Sequence, residues 1–150
     1  MSYIATTTTN KHFYYLDVRI EDIDIQDIAS GLANECRFNG LIDNFYSVAQ
    51  HLVYVSYLVA PEYALEALLH DASEAYVKDL PSTISDAVNF ADLMMLATEK
   101  RDLEIDVGSN WLMLDDIPES DFVVNPLTPP QAKSMFLRRF YELCKGKING

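Results

Sequence analysis

Residues 61–81, PEYALEALLHDASEAYVKDLP, form the most informative stretch of this sequence. Pro61 suits the first turn of a helix, because that position leaves its backbone N–H unpaired in any case. Pro81 ends the helical pattern, since proline breaks a helix interior. Between the two prolines, apolar residues recur at helical spacing. The stretch predicts a helix from residue 61 to about residue 77, with a core-facing stripe of Leu65, Leu68, Leu69 and Ala72.

Helical patterns also dominate the rest of the chain. A further helix is predicted to begin at Asp22 or Asp24, and others to cover residues 45–59, 86–102 and 128–146, with Gly146 ending the last one. Residues 1–20 are rich in Thr and Tyr and predict only an extended arm or a small hairpin. We therefore expect an all-α fold, a single helical bundle with a short extended N-terminal arm.

The charge balance narrows the choice of partners. Eleven Lys and Arg residues stand against 23 Asp and Glu residues, for a net charge of −12. Such a surface repels the phosphates of nucleic acids and of anionic lipids. We therefore expect neither nucleic acid nor a membrane as a partner. The chain has no signal-peptide pattern, and its two cysteines are far apart, so both are expected to be packed rather than bridged.

Two of the three histidines lie in apolar predicted helices and are accompanied by carboxylates. Asp71 follows His70 directly, and Glu74 lies one helical turn after His70, on the same side. His51 precedes His70 by 19 residues, enough for one helix to end and the next to return beside it. Asp92, in the apolar run FADLM, offers a fourth ligand. An Asp beside apolar residues is costly to bury unless it is paired or binds a cation, so the pattern predicts a metal site.

Two imidazoles and two carboxylates make a mixed nitrogen and oxygen site. This donor set suits Zn, Mn, Co or Fe better than Ca, which prefers oxygen ligands alone. An ion with open coordination positions there could polarise a phosphoryl oxygen and acidify a bound water. Each residue also has an ordinary structural explanation: a histidine in an apolar helix is often a core residue, and Asp92 could be a solvated or capping residue.

The order of these residues resembles the H…HD…D signature of HD-domain phosphohydrolases. The resemblance extends over about residues 20–145, through the runs CRFNG (36–40), FYSVAQH (45–51), LHDASEAYVKDLP (69–81) and ADLMMLATE (91–99). It is closest to the small deoxynucleotide-directed branch, which includes phage dATP triphosphohydrolases and bacterial 5′-deoxynucleotidases. The resemblance implies one HD domain over residues 1–150, whose metal ligands are His51, His70, Asp71 and Asp92.

The resemblance also assigns roles around the metal. Glu74 would act on the attacking water or the leaving group, and Asp79 would contact the sugar or orient the water. Arg37 would bind phosphate, with Lys78 as a weaker candidate, and Phe38 would stack on the base. From the residues alone, Arg37 is also explained as an ion-pair partner of the many carboxylates, Lys78 as a surface lysine, and Phe38 as a core residue.

The expected function is hydrolysis of a deoxynucleotide with a divalent transition metal, with Mg as an additional ion that the resemblance allows. A dNTP triphosphohydrolase acting on dATP is the first expectation, and a deoxynucleoside 5′-monophosphatase is the alternative. The resemblance further implies a homo-oligomer. The unbridged cysteines and the absence of a signal-peptide pattern predict a cytoplasmic location, or the host cytoplasm if the protein is viral.

Two departures from the family pattern favour a third possibility, a degenerate HD fold that only binds or assembles. Pro81 and Asp92 are 11 residues apart, where relatives carry a further helix, and Leu41 stands where many relatives have His.

Overall fold

The computed structural model describes residues 3–78 and 83–148, which are mostly helical with one small sheet. The sheet is a hairpin in which β1 (Tyr3–Ala5) pairs antiparallel with β2 (His12–Tyr14). Phe13 points from this hairpin into the core and stacks on Tyr76, with 4.4 Å between ring centroids. The predicted N-terminal arm is therefore a hairpin fastened to the helical body.

The helices of the described residues follow the predicted order. They are α1 (Ile25–Asn34), α2 (Val48–Tyr57), α3 (Ala64–Leu69), α4 (Glu74–Val77), α5 (Asp86–Asp102) and α6 (Pro129–Ile148). Single 3₁₀ turns lie between some of them, as at Arg37–Gly40 and Leu112–Leu114. The mainly helical fold and the bounds of α5 are as predicted. Among the described residues, no helix is both long and apolar enough to cross a membrane.

Side-chain caps set the starts of the first two helices. Asp24 caps α1 by accepting a hydrogen bond from the Gln26 N–H (2.9 Å), as predicted. Ser47 caps α2 in the same way with the Gln50 N–H (3.1 Å). This second cap explains why α2 begins at Val48 and not at residue 45, where the apolar pattern alone placed it.

The helix predicted over residues 61–77 is interrupted, which corrects the sequence interpretation. α3 ends at Leu69, and the chain then forms i→i+3 hydrogen bonds, from the N–H of Ala72 to the Leu69 carbonyl (2.9 Å) and from the N–H of Glu74 to the Asp71 carbonyl (3.0 Å). Such bonds tighten the chain to three residues per turn. Periodicity could not separate this tightened turn from a regular helix, because His70 and Ser73 at its two ends keep helical backbone angles.

α2 lies at the centre of the fold, buried on most of its faces. On one side it packs in a core cluster with α1 and α6, where Leu32, Leu52 and Phe136 are fully buried. On the other side a second cluster joins α2 to α3 and α5. Because α2 touches both clusters, its polar residues are held in a rigid setting.

Two smaller predictions need correction. The apolar spacing of residues 86–102 predicts a core-facing stripe of Leu93, Leu96 and Ala97. Of these only Ala97 is buried in α5, and Val88, Ala91 and Met95 form the rest of its buried apolar face. α6 continues through Gly146 to Ile148, because Gly146 does not adopt the left-handed φ with which a glycine ends a helix. Both cysteines are free and half-buried, as expected.

Candidate metal centre

Side chains from α2, α5 and the residue that follows α3 converge on one point. His51 Nε2 lies 2.8 Å from Asp92 Oδ1, and His70 Nε2 lies 3.8 Å from the same oxygen. One ligand atom from each of these three residues lies within 4.8 Å of the other two, so the group could hold a metal ion. Asp71 lies at its edge, with Oδ2 at 3.3 Å from His70 Nε2. The structure thus gathers all four predicted ligands, three of them closely.

His70 is oriented for coordination by its own segment. Its Nδ1–H donates to the carbonyl of Ala67 (2.7 Å), one turn earlier. This bond places the lone pair on Nε2. The Nε2 atom is buried and forms no hydrogen bond to any residue that the structure describes. A buried polar atom without a partner is costly, and a cation beside it would remove that cost. The residues present therefore fit a metal ion.

His51 is fully buried between two carboxylates. Its Nδ1–H donates to Glu99 Oε1 (2.5 Å), and its Nε2–H donates to Asp92 Oδ1. Burial and the charge of Arg37 lower the pKa of His51, but Glu99 and the hydrogen bond to Asp92 outweigh them and raise that pKa to about 9. Since a metal ligand must be a neutral imidazole, binding an ion here would release the Nε2 proton.

The carboxylate side of the group is open to solvent, whereas the imidazole side is closed. The Asp92 and Asp71 side chains are 33% and 25% exposed, whereas those of His51 and His70 are at most 3% exposed. Burial raises the pKa of Asp92, yet the hydrogen bond from His51 and the nearby positive charges hold this pKa well below its usual value. Asp92 is therefore ionised at neutral pH, and the open side gives a small molecule access to the group.

Glu99 is the residue of this region that sequence reasoning missed. Its carboxylate is fully buried and accepts hydrogen bonds from His51, from the Tyr46 hydroxyl (2.8 Å) and from Arg37. Burial raises the pKa of Glu99, but Arg37 and His51 hold it below its ordinary value. The available signal was spacing: Glu99 follows Asp92 by seven residues, which is two helical turns on the same face of α5.

Arg37 reaches this carboxylate from a tight loop. The Arg37 N–H donates to the Tyr46 carbonyl (2.8 Å), which joins the chain before the loop to the start of α2. The Arg37 side chain is 16% exposed and donates from Nε (3.0 Å) and Nη2 (2.7 Å) to Glu99 Oε2. The ion-pair interpretation of Arg37 is thus what the structure describes. Two of its five N–H groups are engaged, and the others donate to no described residue.

The loop after Arg37 has an unusual backbone. Phe38, Asn39 and Gly40 have φ values of 56°, 54° and 74°, in the left-handed region. A bulky residue pays for this conformation, and strain of this kind is concentrated at functional sites. The Phe38 ring is half-buried, with the Arg37 guanidinium 5.1 Å from its centroid. Phe38 therefore stacks on a cation in this structure, and base stacking by Phe38 stays a prediction.

The other predicted residues lie near the site or outside the description. Glu74 begins α4, one tight turn after Asp71. Lys78 is an exposed residue that pairs with Glu35, as the surface interpretation expected. Asp79 lies outside the described residues. The arrangement as a whole can bind a divalent ion, hold an arginine close to it, and admit a solvent-borne ligand from the carboxylate side.

Comparison with known proteins identifies relatives in two bacteria. The chain is 44% identical over 172 positions to the uncharacterized protein YfdR of Escherichia coli, with 95% of this chain and 96% of the relative covered. It is also 40% identical over 82 positions to an uncharacterized protein of Rhodobacter capsulatus, with 49% of this chain and 42% of that protein covered. No protein-family model matches the sequence.

The alignment with YfdR is longer than this chain, 172 positions against 150 residues. YfdR therefore carries residues that have no counterpart here. That they fall between Pro81 and Asp92, where the family resemblance expects an additional helix, stays a prediction.

Proposed function

We propose that this chain, which belongs to the same protein family as YfdR of Escherichia coli, is a metal-dependent phosphohydrolase of the HD-domain type that acts on a deoxynucleotide. One observation carries the proposal. Three separate helical segments bring His51, His70 and Asp92 to one point, and the buried His70 Nε2 is left without a hydrogen-bond partner among the described residues. Asp71, beside His70, supplies the second carboxylate of the H…HD…D pattern.

His51, His70 and Asp92 would hold a divalent transition ion, with Asp71 adjacent. The bound ion would supply Lewis acidity toward a phosphoryl oxygen and lower the pKa of a coordinated water. Asp71 and Asp92 face solvent, so a water molecule or a phosphate can approach between them. Glu74 begins the turn after Asp71 and is our candidate for holding the proton of the attacking water or of the leaving group.

Arg37 is the residue best placed to neutralise a phosphate. Burial lowers the pKa of Arg37 and Glu99 raises it, and Arg37 is also close enough to the site for the charge of Asp92 to raise that pKa further. The charge of Arg37 in turn lowers the pKa of His51. Glu99 engages two of its N–H groups, and the remaining donors suit the oxygens of a phosphoryl group. Because the chain is strongly acidic, this local positive charge and the ion must together attract the anionic substrate.

A dNTP, with dATP first, is the proposed substrate, and release of triphosphate is the proposed reaction. A panel of dNTPs and dNMPs, each assayed with Mn, Co or Mg, tests this directly. Inorganic triphosphate from a dNTP supports the triphosphohydrolase, whereas orthophosphate from a dNMP identifies the monophosphatase. Asp71→Ala is expected to abolish turnover without unfolding the chain, and Asp115→Ala, an exposed loop carboxylate, serves as the matched control.

The alternative is a degenerate HD fold that only binds or assembles. Protein purified without added metal distinguishes it by elemental analysis followed by addition of Mn or Co. If the wild-type chain holds no transition metal and gains no hydrolytic activity toward any nucleotide, the enzymatic proposal is wrong and the binding function is favoured.

A further inference from the structure

Glu99 has a full set of hydrogen-bond donors around its carboxylate. Oε1 accepts from His51 Nδ1 (2.5 Å) and from the Tyr46 hydroxyl (2.8 Å), while Oε2 accepts from Nε and Nη2 of Arg37 (3.0 and 2.7 Å). A carboxylate offers about four lone-pair directions. Because all four are used and the side chain is fully buried, Glu99 has no direction left for an ion. Its effect on the metal centre must pass through His51.

We propose that Glu99 is a positioning residue that sets His51 as a metal ligand. By accepting the Nδ1–H, it fixes the tautomer whose Nε2 faces Asp92 and His70. Metal-binding histidines commonly donate their second ring nitrogen to a carboxylate, which fixes the ring orientation and strengthens the nitrogen as a donor. This inference rests on the metal centre of the proposed function and needs nothing of the reaction itself.

Arg37 and Tyr46 fix the orientation of the Glu99 carboxylate. Arg37 holds Oε2 and thereby leaves Oε1 as the oxygen that faces His51. Tyr46 is fully buried and binds the same oxygen as His51 from another direction. The carboxylate therefore cannot rotate without losing several hydrogen bonds, and His51 inherits this fixed orientation.

Glu99→Gln tests the proposal because glutamine has one accepting and one donating end. The Arg37 donors require the amide oxygen, so the amide NH₂ would face His51. His51 Nδ1 would then have to accept, which moves the ring proton to Nε2, the atom needed for the metal. We expect the affinity for Zn²⁺ or Co²⁺, measured by competition with a chelator, to fall about 10- to 100-fold.

Tyr46→Phe is the matched control, since it removes a donor to the same Glu99 oxygen and leaves the His51 bond in place. Its metal affinity is expected to fall much less than that of Glu99→Gln, because Arg37 still holds the carboxylate and Oε1 still accepts from His51. A purely structural role for Glu99 would not change the tautomer, so ¹⁵N NMR of the neutral His51 ring in the metal-free protein at alkaline pH gives an independent measurement. The proton is expected on Nδ1 in the wild type and in Tyr46→Phe, and on Nε2 in Glu99→Gln.

A second pair of variants keeps the test decisive if Glu99→Gln fails to fold beside the buried Arg37 charge. In an Arg37→Met background, Glu99→Gln can turn its amide oxygen toward His51, whereas Glu99→Leu cannot accept at all. We expect the Gln variant to bind Co²⁺ more tightly than the Leu variant by 10-fold or more, on the order of a carboxylate–histidine contact. The role of Glu99 would be overturned if Glu99→Gln bound the ion as tightly as the wild-type chain and the two Arg37→Met double variants bound it equally. A wild-type chain that binds neither Zn²⁺ nor Co²⁺ would overturn the metal centre itself.

Discussion

The two histidines of the candidate metal centre are held in their orientations by different kinds of hydrogen-bond partner. His70 donates its Nδ1–H to the carbonyl of Ala67, three residues earlier in the same segment, and its Nε2 has no hydrogen bond to a described residue. His51 donates its Nδ1–H to Glu99, which lies 48 positions later on α5, and its Nε2 already contacts Asp92. One ring is thus fixed by local backbone and the other by distant carboxylates.

This difference has a physical consequence for metal binding. His70 has its Nδ1–H committed to a carbonyl and its Nε2 without a hydrogen bond to a described residue, so no described hydrogen bond has to break for Nε2 to bind an ion. His51 is held as an imidazolium by the surrounding carboxylates and must lose a proton first. The proton that His51 must release therefore makes metal binding pH-dependent through the contacts between α2 and α5.

The largest expected effect comes from removing the atom that both histidines share. Asp92→Ala deletes the oxygen that lies 2.8 Å from His51 and 3.8 Å from His70. We expect loss of bound metal, measured by elemental analysis, and a fall in nucleotide hydrolysis of about 1000-fold, since a catalytic metal contributes several kcal/mol.

Asp86→Ala is the control for this change, because Asp86 is an exposed carboxylate on the same helix. It should keep both the metal and the activity. If Asp92→Ala retained stoichiometric metal, Asp92 would not join the two histidines in one site, and the proposed metal centre would be wrong.

A pH titration should separate the His51 side from the rest of the metal-free chain. The pKa of His51 is raised from 6.5 to about 9 in the folded state, so its contribution to stability is complete below pH 6.5 and is lost as the pH rises through 9. In EDTA, the free energy of unfolding by urea should fall over this range, by up to about 3 kcal/mol.

The variant His51→Gln cannot titrate and serves as the reference for this measurement. Its stability should lack the fall between pH 6.5 and 9 that depends on His51. The same slope in both proteins would mean that His51 is not held as an imidazolium by its carboxylates.

The smallest expected effect tests whether His70 is indeed fixed locally. Gly31 on α1 packs directly on α4, and an added Cβ would lie 2.8 Å from the Cβ of Ala75. Gly31→Ala should therefore push α4 away and cost about 1–3 kcal/mol of stability. Metal affinity should change little, because the bond from His70 to Ala67 lies on the α3 side of the turn.

Gly146→Ala is the matched substitution, since Gly146 is also a helical glycine but has nothing within 4 Å of an added Cβ. It should stabilise the chain by about 0.5–1 kcal/mol, the helical preference of Ala over Gly. A large loss of metal affinity in Gly31→Ala would show that His70 depends on α1 after all.

Sequence patterns correctly predicted the features that are controlled by interactions between residues close together in the sequence. The apolar spacing and the caps located the helices, and the run around His70 and Asp71 indicated one side of the metal centre. The patterns failed where backbone geometry changes without a change in composition. The tightened turn at residues 70–73 has helical angles at both ends and apolar neighbours, so periodicity counted it as part of one helix.

The inward face of α5 shows a second limit. The spacing predicts Leu93, Leu96 and Ala97 as the core-facing stripe, yet only Ala97 of these is buried, together with Val88, Ala91 and Met95. The helical winding that buries these residues also directs the carboxylates of Asp92 and Glu99 toward His51. The apolar run around Asp92 singled that residue out, but a carboxylate in an acidic chain is normally solvated, so nothing in the composition distinguished Glu99 from the other 22 acidic residues.

The sequence by itself determined a mainly helical chain, the order of its elements, and the local orientation of His70, because hydrogen bonds within a few residues control all three. Only the tertiary structure decided that Arg37, Tyr46, His51 and Glu99 form one buried hydrogen-bonded group beside Asp92. The reason is desolvation: a buried charge is tolerated only when opposite charges and donors arrive together, and here they come from segments up to 62 residues apart.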